Sequence, residues 1–279
     1  MPRHARALCW FRRDLRDHDH AAFSRALEES EQVHCAFVLD RAILDPLEDR
    51  ADRRVEFILL ALDELDAALR RKGGGLMVIQ GRAVDEIPTL ARSLGVDAVY
   101  VNRDYEPSAK LRDAQVAKAL SAAGIAFHAL KDQAIFDGDE VLTKAGTPFS
   151  VFTPYKNAWL AALQPADLAP HVPPIRRDAL VPTKRVIPAL ADIGFAPSNL
   201  SSLPIETGMR GAQRMFERFL ERIDRYRQTR DFPAADGGAS NLSIHLRFGT
   251  VSVRTLATAA HARMLEGRSE EHTSELQSR

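Results

Sequence analysis

The chain has 279 residues, 45% of them apolar, and its 38 basic and 38 acidic side chains cancel. That length gives room for about two domains with a sizeable core, and the balanced charge excludes a global field that gathers nucleic acid, so DNA contact would need a local patch. No apolar run approaches membrane-span length and MPRHARALCWF lacks the h-region of a secretory signal, so the expected setting is cytoplasmic, without membrane contact.

Short apolar runs alternate with amphipathic stretches over the first half. Strands are expected at 7–11, 33–39, 76–80, 98–102 and 126–130. Cys9 and Cys35 fall inside the first two of these runs, which suits buried, reduced thiols rather than a disulfide. Residues 52–72 place Val55, Ile58, Leu59, Leu62, Leu65 and Leu69 on one helical face, with Arg70, Arg71 and Lys72 in the last turn and Gly73 ending it. A further helix is expected from Pro107 to Gly124. The order βαβαβαβαβ implies an α/β fold, a doubly wound parallel five-stranded sheet, with its functional crevice beyond the strand C-termini.

After Lys131 the pattern changes. Residues 140–143 and 147–152 flank Lys144, Ala145 and Gly146 as a candidate hairpin, and Thr153 with Pro154 starts a helix to Leu163. Residues 164–204 carry eight of the fifteen prolines and read as a connector wrapped on the surface. Helical spacing resumes at 209–226, with Met215, Phe216, Phe219 and Ile223 inward, and Ser252 caps another helix in which Val253, Leu256, Ala260 and Met264 share a face. The expected divisions are 1–131 for the α/β domain, 132–205 for hairpin, helix and linker, 206–267 for the start of an all-α domain, and 268–279 for a polar tail that fits no helix face.

Several clusters carry candidate chemistry. Arg12, Arg13, Asp14 and Arg16 follow the first strand, at the edge where open α/β folds bind ligands; the competing and preferred reading is an ion-pair cluster that locks this loop to a neighbouring domain. Asp17, His18, Asp19 and His20 include metal-ligand types, but adjacent residues entering a helix diverge, so Asp19 is read as a helix cap and no metal is expected. Gly73, Gly74 and Gly75 follow a helix and precede a strand, the reverse of a phosphate loop, and read as a flexible link. Walker, GxGxxG and GxSxG motifs are absent. Ser240 and Ser243 flank Asn241 and Leu242 where an apolar helical pattern begins, so free N–H groups and the positive helix end meet at one spot that suits a phosphate. Tyr226 and Arg230, four apart, offer a phenol and a guanidinium to the same region.

Four segments in order, CWFRRDLRDHD, VNRDYEP, PFSVFTPYKNAWL and YRQTRDFPAADGGASNLSIHLRFGTVSVR, make residues 5–267 resemble the DNA photolyase and cryptochrome family. The resemblance implies an N-terminal antenna domain, a long linker and a helical FAD-binding domain. It implies FAD as cofactor, held through Tyr226, Ser240, Asn241, Leu242 and Ser243, and damaged DNA carrying a pyrimidine dimer as partner, near Arg230. The implied activity is light-driven repair of cyclobutane dimers by electron transfer from reduced FAD, with a cryptochrome-like photoreceptor as the alternative, and no obligate protein partner. A second chromophore is implied near Asn102 and Asp104: a deazaflavin, or a methenyltetrahydrofolate, which Ser108 and Ala109 disfavour. Asn241 stands where relatives commonly carry arginine, and His20 where asparagine is usual. The later flavin-domain helices have no counterpart, and RSEEHTSELQSR resembles a translated adapter; the expectation is an N-terminal portion that is inactive alone.

Overall fold

The computed structural model describes residues 2–174, 176, 178–229, 231–232 and 237–277. Five parallel strands, β1 (His4–Phe11), β2 (Ser30–Asp40), β3 (Leu76–Gly81), β4 (Ala98–Asn102) and β5 (Ala126–Leu130), form one sheet in the order β3-β2-β1-β4-β5. The connections are α1 (Ala21–Glu29), α2 (Arg41–Leu44) with α3 (Arg53–Arg71), α4 (Ala83–Leu94) and α5 (Pro107–Ala122). Strand order reverses between β1 and β4, which opens a crevice at the C-terminal edge. The expected α/β class and all five strands are present.

Both sheet faces are buried, so β1 reads as an unbroken apolar run rather than an alternation. Phe11, Phe23, Phe57, Leu62 and Leu65 fill the side covered by α1 and α3, and Leu8, Trp10, Val99, Ile87 and Val116 the side covered by α4 and α5. Cys9 and Cys35 are register partners on β1 and β2, both buried and free, and burial pushes both thiols up. The Asp52 side chain accepts from Arg54 N at 2.8 Å to start α3, and Arg70 and Arg71 close it against the helix dipole.

Three expectations change. No hairpin forms at 140–152: Thr143 and Thr147 close only a turn, through Thr143 N donating to Thr147 O at 2.9 Å, because no neighbouring strand offers this segment an edge among the described residues. The helix at 209–226 breaks, with α7 (Gly208–Leu220) followed by a 3-10 turn at Ile223–Arg225 and by α8 (Tyr226–Thr229). Met215 and Phe219 are buried as expected, and Ile223 belongs to the turn. The glycine run is no flexible link. A Cβ on Gly74 would lie 2.8 Å from the Leu180 Cβ, so these glycines let the connector pass against the sheet.

That connector is structural. Val33 N donates to Ala179 O at 2.7 Å and Val181 N to Val33 O at 3.0 Å, and Leu180, Ile193, Phe195 and Leu200 enter the core. Prolines keep it irregular while its apolar residues still find burial. α6 (Phe152–Ala162) precedes the connector, and α9 (Ser243–Phe248) and α10 (Val253–Gln277) follow it, the helical backbone of α10 running through most of the polar ending because Gly267 is followed by no further breaker. Ser252 caps α10 as expected, its Oγ accepting from Arg254 N at 3.1 Å. No helix among the described residues is long and apolar enough to cross a membrane.

Candidate functional site

The loop leaving β1 organises the crevice. Arg12 N donates to Asp14 Oδ1 at 2.6 Å, and the Arg12 guanidinium reaches Asp113 at 2.5 Å and the Asn102 carbonyl. Burial would raise the Asp14 carboxyl, but His20, 3.0 Å away, and Arg12 outweigh it and hold it below the usual range. Asn102 is fully buried beneath the loop: its Oδ1 accepts from Ala22 N at 2.9 Å and its Nδ2 donates to Asp14 Oδ2 at 2.8 Å. Asn102 therefore braces β4 against the loop and α1.

Above this floor lies a cavity of about 530 Å³. Phe37, Leu39, Leu44, Val55 and Phe248 give it apolar walls, and Arg13, Arg82, Asp40, Asp104 and Glu106 supply charges at its rim. Asp104 is thus brought to the cavity, tied to Arg13 at 3.3 Å, whereas Asn102 does not line it. The guanidinium carbons of Arg12 and Arg112 sit 4.8 and 5.2 Å from the Trp10 ring centroid, a cation–π stack beside the cavity. An apolar cleft with a few convergent charged groups is the form of a small-molecule site. Arg112 and Trp10 escaped the sequence reading because one is a helix residue and the other a strand residue; only the fold makes them neighbours.

The same loop carries an ion-pair lock, in which Arg16 of that arginine-rich stretch takes part while Arg12 and Arg13 line the cavity. Asp132 Oδ2 accepts from Arg16 at 2.6 Å and its Oδ1 from Arg254 of α10 at 2.7 Å, while Arg254 Nε donates to Asp19 Oδ1 at 2.7 Å. All four side chains are buried. Burial alone would push the Asp132 carboxyl up, but Arg16, His20 and Arg254 hold it well below the usual range. Backbone contacts reinforce the joint: Leu15 N donates to Phe248 O at 3.0 Å and Arg16 to Gly249 O at 3.2 Å. Asp19 is therefore not the helix cap. The cap of α1 is His20, whose Nδ1 accepts from Phe23 N at 3.0 Å, and Asp19 turns away at φ +43° to hold Ser252 and Arg254.

The serine-rich turn at 240–243 lies between α8 and α9. Thr229 Oγ1 donates to Gly238 O at 3.2 Å, tying α8 to the turn. Ser240 Oγ accepts from Leu242 N at 3.4 Å and Asn241 adopts φ +55°, a left-handed position that asparagine tolerates. The first turn of α9 follows with no capping side chain, Ser243 and Asn241 facing solvent and Leu242 buried. Uncapped N–H groups beside exposed hydroxyls fit a phosphate. Tyr226 is 41% exposed and packs edge-on to Phe219 at 5.5 Å. Arg230 lies outside the described residues.

An open parallel sheet with a cavity at its crevice, locked to a following helical segment, matches what comparison finds. The model of the family described as DNA photolyase matches residues 7–175, and the chain belongs to that family. It is 36% identical over 265 residues to the deoxyribodipyrimidine photo-lyase of Synechococcus sp. (strain ATCC 27144 / PCC 6301 / SAUG 1402/1), covering 91% of this chain and 54% of that protein. The crystal structure of a class III photolyase from Agrobacterium tumefaciens superposes with a TM-score of 0.77 at 26% identity, over 91% of this chain and 52% of that one. A photolyase from Sulfolobus tokodaii, described with two FAD molecules and a novel light-harvesting cofactor, gives 0.71 at 28% identity, over 93% and 55%. The chain spans about half the length of these relatives.

Proposed function

We propose that this chain provides the antenna and flavin-diphosphate sites of a photolyase that uses light to split cyclobutane pyrimidine dimers in DNA. The observation that carries the reading is the turn at 240–243, which opens α9 with no capping side chain, in the helical segment that Arg254 joins to the sheet through the buried lock with Arg16, Asp19 and Asp132. Because the chain matches only about half of its relatives' length, repair itself is proposed for the whole protein.

In this reading Ser240 and Ser243 donate their hydroxyls, and Ser243 its backbone N–H, to the diphosphate lying over Leu242, while the Tyr226 phenol closes the site. Asn241 contributes an uncharged amide where a cation would bind more strongly. Bound reduced FAD supplies a light-excited electron donor for the dimer. Arg230 is the proposed DNA contact. The cavity over Asp104 is the proposed antenna site, and its apolar walls with charges of both signs at the rim suit a deazaflavin, while Ser108 and Ala109 disfavour a folate.

The test is an FAD titration of the purified chain against two variants. Ser240→Ala with Ser243→Ala should weaken diphosphate binding about tenfold, the effect of losing two hydrogen bonds to a charged group in partly open surroundings. Ala109→Phe should instead abolish flavin uptake by the cavity. Unchanged FAD affinity in the serine variant refutes the cradle. Blue-light treatment of dimer-bearing oligonucleotides by the whole protein then separates repair from a light sensor that binds flavin without splitting dimers.

A further inference from the structure

Remote from the crevice, three side chains that the chain keeps far apart converge. His4 opens β1, Glu29 closes α1 and His128 lies in β5, and their ligating atoms all fall within 4.8 Å of one another. We propose that His4, Glu29 and His128 bind a divalent transition-metal ion of the zinc type, at a site independent of the flavin reading.

Geometry carries the argument. The Nε2 of His128 is buried and has no hydrogen-bond partner among the described residues, an arrangement that costs about 1–3 kcal/mol unless something completes it. Its ring plane is fixed by stacking on Tyr100, with centroids 4.7 Å apart and planes at 28°, and the His4 ring stands 5.9 Å away. The Tyr100 hydroxyl donates to Glu29 Oε2 at 2.7 Å, as an outer-shell partner that orients a metal-binding carboxylate.

Two imidazoles and one carboxylate select zinc, nickel or copper over calcium or magnesium, which want oxygen ligands alone. Bonds of about 2.0–2.1 Å place tetrahedral donors about 3.4 Å apart, so the trio must close slightly. His4 and Glu29 are only partly buried and can rotate to do so. The groups already on Glu29 Oε1 are Arg3 at 3.3 Å and Arg25 at 3.5 Å, with side chains 74% and 51% exposed. Such surface pairs contribute about 0–1 kcal/mol and yield to a metal. Water takes the remaining position, and the bound ion ties the start of β1 and the end of α1 to the edge strand β5.

The experiment strips the full chain with a chelator and titrates zinc sulfate against a chromophoric competitor. Cobalt(II) follows as a spectroscopic probe of nitrogen ligation. The parent should take up a single tight equivalent. His128→Phe keeps the stack on Tyr100, and His4→Gln changes only the first residue of β1; each should weaken zinc binding by about tenfold or more and lose the cobalt bands. Circular dichroism verifies that both variants fold, and if His128→Phe fails to fold, His4→Gln and Glu29→Gln decide. Absence of saturable zinc uptake by the parent, or parent-like affinity in a folded variant of any of the three residues, overturns the proposal.

Discussion

Asp132→Ala tests the joint between the sheet and α10. The lock contains two guanidiniums and two carboxylates, so its charges cancel; removing Asp132 leaves Arg16 and Arg254 facing Asp19 alone, with one uncompensated positive charge in a site where all these side chains are at most 6% exposed. Breaking a buried pair from one side costs about 3–5 kcal/mol, a large share of the roughly 5–15 kcal/mol that holds a domain folded. Ala21 N also loses its acceptor at 3.1 Å. Amide hydrogen exchange should show the first turns of α10 and the loop 13–19 opening about 100-fold more often, while β1 and β4 keep their protection. Adding Arg254→Met removes the surplus charge, so the double variant should be less destabilised than the sum of the singles by about 1–3 kcal/mol. Additivity, or a loss under about 1 kcal/mol for Asp132→Ala, refutes the reasoning. The pH dependence has a definite sign: because the folded carboxyl is held below its unfolded value, this stabilisation is complete above about pH 5 and fades as pH falls through the acid range.

Other outcomes follow from single contacts. His245 is buried with Nδ1 2.7 Å from Thr250 Oγ1, and burial pushes it down to about 4. Protonation therefore opposes folding of the helical segment: stability holds above about pH 6.5 and falls as pH drops towards 4, and His245→Asn should flatten that part of a pH-dependent melting curve. Gly249 has φ +65°, and a Cβ there would meet Arg13 O at 2.3 Å. Gly249→Ala should cost about 2–4 kcal/mol in urea unfolding and loosen the joint. Leu180→Ala should cost about 2–5 kcal/mol, against near zero if the connector merely lay on the surface.

Much of the architecture was legible along the chain. Apolar runs at fixed intervals specify five strands, and the helix between Asp52 and Gly73 announces both its ends, because these are local signals of burial and capping. The serine-flanked turn at 240–243 was also legible, since its chemistry lies in consecutive residues. The Asp19 misreading shows the limit: a short acid before a helix looks like a cap, but two buried partners from α10, more than 230 positions away in sequence, compete for it and win. The hairpin expected at 140–152 failed for a related reason, because a strand needs a partner edge that the segment itself does not supply.

The one-dimensional pattern thus determined the parallel sheet and its crevice edge, which depend on spacing within a few residues. Tertiary structure decided where the charges went. It paired Asp132 with both Arg16 and Arg254, set Arg12 and Arg112 beside Trp10, buried Asn102 under the cavity and gathered His4, Glu29 and His128 at the sheet edge. Ion pairs, cavities and ligand clusters depend on distances across the fold, and those distances exist only once the chain has closed on itself.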